Sequence, residues 1–287
     1  MKNQNFGIEI EFTGITRAKA AQVISTYFGT NPFHTRDGYD TYKTADTENR
    51  IWKIVKDSSI RMENGEQVEL VSPICRYEDI ETIQELVRTL RAAGAKSNNS
   101  CGIHIHINAA PHTARSIRNI ANLMTSKEDL IFKALAVDAN RIKYCKKADD
   151  DFIRQINKNK PQSLTEVKRL WYEGGDGSFS HYHESRYHAL NLHSVFQKGT
   201  IEFRMFNSDI SHAGKIKAYI QFCLAISHQA LTQKSASKTK TITTNDKYTF
   251  RTWLLRLGLI GEEFKTARTH LLANLEGNIA WKNRRAA

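Results

Sequence analysis

Apolar and polar residues alternate with a period of two in Ile8–Phe12, Glu66–Val71, Gly102–Asn108 and Thr200–Phe206, which predicts four β-strands with one apolar and one polar face. In the first, Ile8, Ile10 and Phe12 share a side and Glu9 and Glu11 share the other. The third sets His104, His106 and Asn108 opposite Ile103, Ile105 and Ile107, and the fourth sets Glu202 and Arg204 opposite Ile201, Phe203 and Met205. Glu69 falls on the side of Gln67 and Val71. Ile51–Val55 reads as another strand, joined to Glu66–Val71 by a polar connection in which Asn64-Gly65 signals a turn. Tyr187–Ser194 and Thr200–Phe206 read as an antiparallel hairpin through Gln197-Lys198-Gly199.

Helical spacing takes over between these strands. Thr16 caps a helix over 17–28, and residues 31–49, rich in Asp and Thr with Asp37-Gly38, read as loop. Ile80, Ile83, Val87 and Leu90 recur at helical spacing from Glu78 to Ala93, with Gly94 where a C-terminal cap belongs. A helix-rich block covers about 112–172, with Ser126 and Ser163 as expected N-caps and Pro161 separating its parts. From about 211 the chain turns helical again, broken by the polar stretch 233–247 and ending in the basic tail Lys282–Arg285. Helical insertions of unequal length argue against regular βαβ alternation. The expected class is therefore α+β, with a mixed, mainly antiparallel sheet whose polar strand faces line its concave side.

Composition changes this picture in two ways. A chain of 287 residues, 40% hydrophobic and 25% charged, supports a substantial core, expected as one catalytic domain spanning 1–287 with its sheet within about 6–210 and a helical part within about 211–287. No apolar run reaches the roughly 18 residues of a membrane span and Met1–Phe6 lacks a signal-like apolar stretch, so a cytoplasmic protein is expected. Four scattered cysteines without a CxxC pair imply neither a disulfide framework nor a thiolate zinc site. The formal net charge of +12 favours anionic partners without choosing among them.

The polar strand faces carry the candidate chemistry. They hold Glu9, Glu11, Glu69, Glu202, His104, His106 and Arg204, and no lysine, in a chain rich in lysine. Carboxylates two positions apart on a strand stand about 7 Å apart, where two anionic charges repel by about 2.4 kcal/mol at an effective dielectric near 20. Divalent cations remove that cost, and a carboxylate-rich set with one or two imidazoles suits Mg²⁺ or Mn²⁺ better than Zn²⁺. Arg204 offers a planar fork for a carboxylate or phosphate oxygen, or a structural pair with Glu202.

Five segments taken in order resemble the amidoligase family, glutamate–cysteine-ligase-like carboxylate–amine ligases of the glutamine synthetase fold. They are Phe6–Phe12, Trp52 to Asp57-Ser58-Ser59-Ile60, Glu69–Pro73, Cys101–His106 and Thr200–Arg204, spanning about residues 6 to 210. The resemblance implies a curved, mainly antiparallel sheet with helices on its convex side, and ATP-dependent amide formation through an acyl phosphate with Mg²⁺ or Mn²⁺. By similarity, Glu9 and Glu11 each hold a metal, with Glu69 beside Glu11. His104 and Glu202 join Glu9 at the ion bridging the ATP phosphates, His106 sits near the nucleotide, and Arg204 stabilises the transferring phosphoryl group. Asp57 is a ligand or a substrate contact, and Glu63 and Glu66 are nearby carboxylates that leave the assignment around Glu69 open. The implied partners are a small-molecule or peptide carboxylate and an amine donor, with a homo-oligomer in keeping with the fold.

Two other functions fit parts of the sequence: a metal-dependent hydrolase built on the His104-x-His106 pair, and nucleic-acid binding through the basic helices and tail, including Arg284 and Arg285, which no recognition motif supports. Gly174–Gly177 lacks the strand and GK[ST] ending of a phosphate loop and reads as a surface turn or a mobile flap. His181, His183 and His188 read as loop histidines. Asn191 and His193, facing together on the partner of the Glu202 strand, are expected to line the same cavity, Asn191 toward the nucleotide.

Overall fold

The computed structural model describes residues 1–281; the basic tail Lys282–Arg285 lies outside the described residues. Its strands are β1 (Phe6–Phe12), β2 (Phe33–His34), β3 (Tyr42–Ala45), β4 (Ile51–Val55), β5 (Val68–Val71), β6 (Gly102–Asn108), β7 (Leu190–Asn191) and β8 (Thr200–Asn207). They form one curved sheet in the order β2-β3-β4-β5-β1-β6-β8-β7, every neighbouring pair antiparallel. Its helices are α1 (Arg17–Phe28), α2 (Asp79–Ala92), α3 (Ala114–Leu135), α4 (Asp150–Asn159), α5 (Leu164–Trp171), α6 (His193–Gln197), α7 (Ala213–Thr232), α8 (Asp246–Arg256) and α9 (Lys265–Leu272). The α+β class with a mainly antiparallel curved sheet is thus as expected.

The alternation in each strand decides which face meets the helices. Ile8, Ile10, Phe12, Trp52, Ile54, Leu70, Ile103, Ile105, Ile107 and Phe203 are all buried in one apolar core. Each such side chain removed from water stabilises the fold by about 1.5–3 kcal/mol. α7 fills the middle of that core with Ile216, Ile220, Phe222, Leu224 and Ile226, and packs on β6, α2, α3 and α9. α1 covers β3 and β4, entered through Thr16, whose hydroxyl accepts from the Lys19 N–H, and ended by Gly29 at φ 70°.

Four local expectations are corrected. Residues 31–49 contain the short strands β2 and β3, separated by a tight turn in which Arg36 and Asp40 take positive φ. Ser126 does not begin a helix: α3 runs through it from Thr113, whose side chain and Ser116 form a reciprocal capping box, while the Ser126 hydroxyl donates to the Thr239 carbonyl. The Glu66–Val71 strand is shorter, Val68–Val71, because Glu66 turns away to accept from the Arg17 N–H. The hairpin before β8 is also reduced, since only Leu190–Asn191 pairs with β8 and the chain then winds into α6.

Candidate active site

Strand register converts the alternation into rungs across the polar face. Lys43 on β3 stands opposite Lys53 on β4, Lys53 opposite Val71 on β5, Val71 opposite Glu9 on β1, and Glu9 opposite His104 on β6. On the next rung Val55 faces Glu69 and Glu69 faces Glu11. His106 faces Glu202 on β8, which faces Asn191 on β7. All the carboxylates and imidazoles singled out in the strands therefore meet on one surface, although β1, β5, β6 and β8 are far apart in sequence.

Their polar atoms are close enough to share ligands. His104 Nδ1 is 3.1 Å from Glu9 Oε2, and its Nε2 is 3.6 Å from Glu11 Oε1. His106 Nδ1 bonds the Thr200 hydroxyl at 3.0 Å, leaving Nε2 at 3.4 Å from Glu9 Oε1 and 3.8 Å from Glu202 Oε1. That Nε2 is buried and has no hydrogen-bond partner. Three sets of ligand atoms each lie within 4.8 Å: Glu9, His106 and Glu202; Glu9, Glu69 and His104; and Glu11, Asp57 and Glu69. The resemblance implies His104 in the first set, but the tightest grouping there contains His106, with His104 Nδ1 at 3.8 Å from Glu202 Oε1. Asp57, after β4, accepts from the Ser59 N–H and completes the third set. Of the other candidate glutamates, Glu63 pairs with Arg61 at the surface and Glu66 with Arg17, so Glu69 is the one in the cluster.

Burial and mutual repulsion set the charges. Glu11 is pushed up to about 8, first by desolvation and then by Asp57, despite the Gly102 N–H it accepts at 2.6 Å. Glu69 is raised for the same reason, with Glu9, Glu11 and Asp57 adding to its burial. Glu9 goes the other way, because its histidines and Lys198 outweigh a burial that alone would raise it. Glu202 is held at about 2, its burial outweighed chiefly by Arg204, and burial lowers His104 to about 4. The centre therefore mixes ionised and protonated carboxylates packed within contact distance, a state that divalent cations relieve by displacing protons.

Arg204 is nine-tenths buried or more, pairs with Glu202 and donates from Nε to the Tyr144 carbonyl at 3.3 Å. Pairing between β6 and β8 jumps from Ile103–Phe206 to Ile105–Phe203, so β8 carries a bulge at Arg204–Met205 that re-aims the guanidinium. Asn191 donates its amide to Glu202 Oε2 at 2.5 Å, orienting that carboxylate. His193 is buried in α6, where Nδ1 meets the Tyr172 hydroxyl at 2.5 Å and the ring stacks on His183. His181 reaches the wall of the cavity over the ligand sets, whereas His188 faces another cleft with Trp171.

Periodicity alone misses Arg141, which lies on a short 3₁₀ helix, Ala139–Tyr144, and donates to the Phe206 and Arg204 carbonyls behind Glu11. A Cβ at Gly102 would collide with its guanidinium, so glycine opens β6 to admit this cation beside the cluster. The cavity over the ligand sets, about 600 Å³, holds Glu11, Asp57, Glu69, His104, Arg141 and Arg204 at its floor, and the cleft beside His188 and Trp171 is larger, about 910 Å³. A smaller, mainly apolar cavity of about 340 Å³ lies on the His106 side, among Ser72, Pro73, Ile74 and Thr200, and shares Glu9 and Lys198 with the first. No helix of the described residues is long and apolar enough to cross a membrane.

The chain matches no curated protein. It does match the family model described as "putative amidoligase enzyme" over residues 2–227, a span that takes in all eight strands and every carboxylate and imidazole of the three ligand sets. The chain therefore belongs to the amidoligase family, a family of ligases.

Proposed function

We propose that the protein is an ATP-dependent carboxylate–amine ligase working through an acyl phosphate, with Mg²⁺ or Mn²⁺ held by Glu9, Glu11, Asp57, Glu69, His104, His106 and Glu202. The observation that carries this reading is the row of three ligand sets chained through Glu9 and Glu69 on one face of the sheet. Five carboxylates and two imidazoles form a hard-donor set suited to these ions. The unpartnered Nε2 of His106, aimed at Glu9 and Glu202, supports the fit, as do the raised Glu11 and Glu69. Bound there, the ions would neutralise the γ-phosphoryl oxygens and help hold donor and acceptor in line.

The chain's own groups then have separable tasks. The apolar cavity beside His106 suits a nucleobase, and Lys198, 3.7 Å from Glu9, stands where both cavities meet, a position suited to the triphosphate. An oxygen of the acid substrate attacks the γ-phosphorus and ADP leaves. Arg204, desolvated and anchored by Glu202 and the Tyr144 carbonyl, presents fixed positive charge to the transferring group. The amine next attacks the acyl carbon, phosphate departs with its bridging oxygen, and a proton leaves the nitrogen. That proton passes to water in the cavity, since Asp57 and Glu69 are engaged in the third ligand set.

The hydrolase reading has less support, because His104 and His106 fall in different ligand sets, each outnumbered by carboxylates. Hydroxylamine tests the ligase directly, since it traps acyl phosphates as hydroxamates whatever the natural amine. Purified protein with Mg²⁺, ATP, hydroxylamine and a panel of carboxylic acids should yield ADP and hydroxamate in equal amounts, and Glu9→Gln should yield neither. Absence of acid-dependent ADP formation across the panel, or metal-dependent ester or amide cleavage without ATP, would refute the proposal.

A further inference from the structure

The rung through the active centre does not end at Glu9. Two strands further out it reaches Lys53 and then Lys43, directly opposite each other on neighbouring antiparallel strands. Like charges facing across a strand pair destabilise a sheet. Some exposed cations of this protein find carboxylates, as Arg76 finds Glu48 and Lys133 finds Asp246, while other surface lysines among the described residues stay unpaired; what sets Lys43 and Lys53 apart is that they face each other and line the cavity. Among the described residues neither Lys43 nor Lys53 makes an ion pair or a side-chain hydrogen bond, and Lys56 at the same cavity is likewise unpaired. The opposite wall adds Arg186, lying on the Tyr182 and Tyr187 rings with no carboxylate partner among the described residues.

This arrangement splits the cavity into two regions of opposite sign. The floor on β1, β5 and β6 is acidic, the middle of the rung is the apolar Val71, and the outer strands β3 and β4 are cationic. With strands about 4.8 Å apart, the Lys53 and Lys43 backbones lie about 10 and 14 Å from that of Glu9. Side-chain reach brings their ammonium groups toward the cavity interior without touching the floor. An acid whose reacting carboxylate enters the floor would carry its remainder past Val55 to these lysines. The Tyr39 hydroxyl from one edge of the sheet meets the Tyr182 hydroxyl from the other at 3.2 Å, bounding the space and limiting its length.

Resting on the ligase reading, we propose that the acid substrate carries at least one anionic group besides the carboxylate that is activated, and that Lys43 and Lys53 hold it. The class is a di- or tricarboxylic acid or a short acidic peptide, with specificity set on β3 and β4 rather than at the metal floor. An anion between the two lysines removes their mutual repulsion and gains charge-assisted hydrogen bonds.

Calorimetric binding with Mg²⁺ present tests this without requiring turnover. The probes are glutarate, tricarballylate and the dipeptide Glu-Glu, with butyrate as the singly charged control and Mg-ADP as the nucleotide. The wild type should bind the multiply charged acids at least about tenfold more tightly than butyrate, and Lys53→Met or Lys43→Met should erase about ten- to hundredfold of that preference. Lys53→Arg should retain it, Mg-ADP affinity should be unchanged in every variant, and the melting temperatures of the Met variants should hold or rise because a repulsion is gone. Equal binding of butyrate and the multiply charged acids overturns the proposal, as does an undiminished preference in both Met variants. Weakened Mg-ADP binding with intact acid binding also overturns it, by giving these lysines to the polyphosphate. Failure of the ligase reading would show separately, as missing ADP formation in the hydroxamate assay.

Discussion

Replacing Glu11 by Gln should make the metal-free protein more stable at mildly alkaline pH, an unusual result for a change at an active centre. Glu11 is buried, and its carboxyl titrates near 8 instead of 4.5. Between those values the folded chain keeps a proton that the unfolded chain has released, so stability falls as pH rises. Titrating near 8 instead of 4.5 corresponds to about 5 kcal/mol, complete once pH has passed the folded value. His104, lowered to about 4, acts in the opposite direction below about 6.5, so the informative window is pH 6.5 to 8. There Glu11 alone accounts for about 2 kcal/mol. Subtracting the Glu11→Gln curve from the wild type cancels Glu128, which is common to both chains, and leaves the Glu11 contribution together with the part of the Glu69 rise that Glu11 causes. The amide retains an acceptor for the Gly102 N–H, so the fold keeps that contact. Urea unfolding with a chelator, repeated at several pH values, measures the difference. Millimolar Mn²⁺ should flatten the wild-type slope by displacing the proton, and should stabilise Glu11→Gln far less. Parallel wild-type and variant curves across pH 6.5–8, or the same Mn²⁺ stabilisation in both, would refute the reasoning.

Two further outcomes follow from the same geometry. Gly102→Ala should cost about 1–3 kcal/mol in urea unfolding, because the added methyl drives the Arg141 guanidinium off the Phe206 and Arg204 carbonyls, and unchanged stability would mean the crowding there is relieved at no cost. Arg204→Lys should lower the rate of ADP formation by about 10²–10³ while leaving the nucleotide's KM within about threefold, since a point charge cannot reproduce the fork between Glu202 and the Tyr144 carbonyl.

The central strands were legible in the sequence because a two-residue period and antiparallel register are enough to put Glu9, Glu11, Glu69, His104, His106 and Glu202 on one surface. Which imidazole joins which carboxylates was not, since that depends on rotamers and on the bulge at Arg204–Met205, and a bulge leaves no mark in hydrophobic alternation. The outer strands were hidden for another reason. β3 has four residues, follows a turn built from Asp37 and Asp40, and carries a half-buried Lys43, so its composition matches that of a loop. Pairing with β2 and β4 makes it a strand, and the register with β4 sets Lys43 against Lys53. Arg141 was invisible because a short helical turn without periodicity delivers it from between α3 and α4. Ser126 misled as a cap because Ser-Lys-Glu-Asp has capping chemistry wherever it occurs, whereas here tertiary packing carries the helix through.

Glu9 and Glu69 each belong to two ligand sets, and that overlap ties neighbouring positions together. A carboxylate that leans toward one cation has less electron density to lend the next, so ions bound at these sets would load as an interdependent series, with successive affinities that differ even where the ligands are alike. A change confined to the Glu202 end would thereby be felt at Glu69, across β6 and β1, without any movement of the backbone between them.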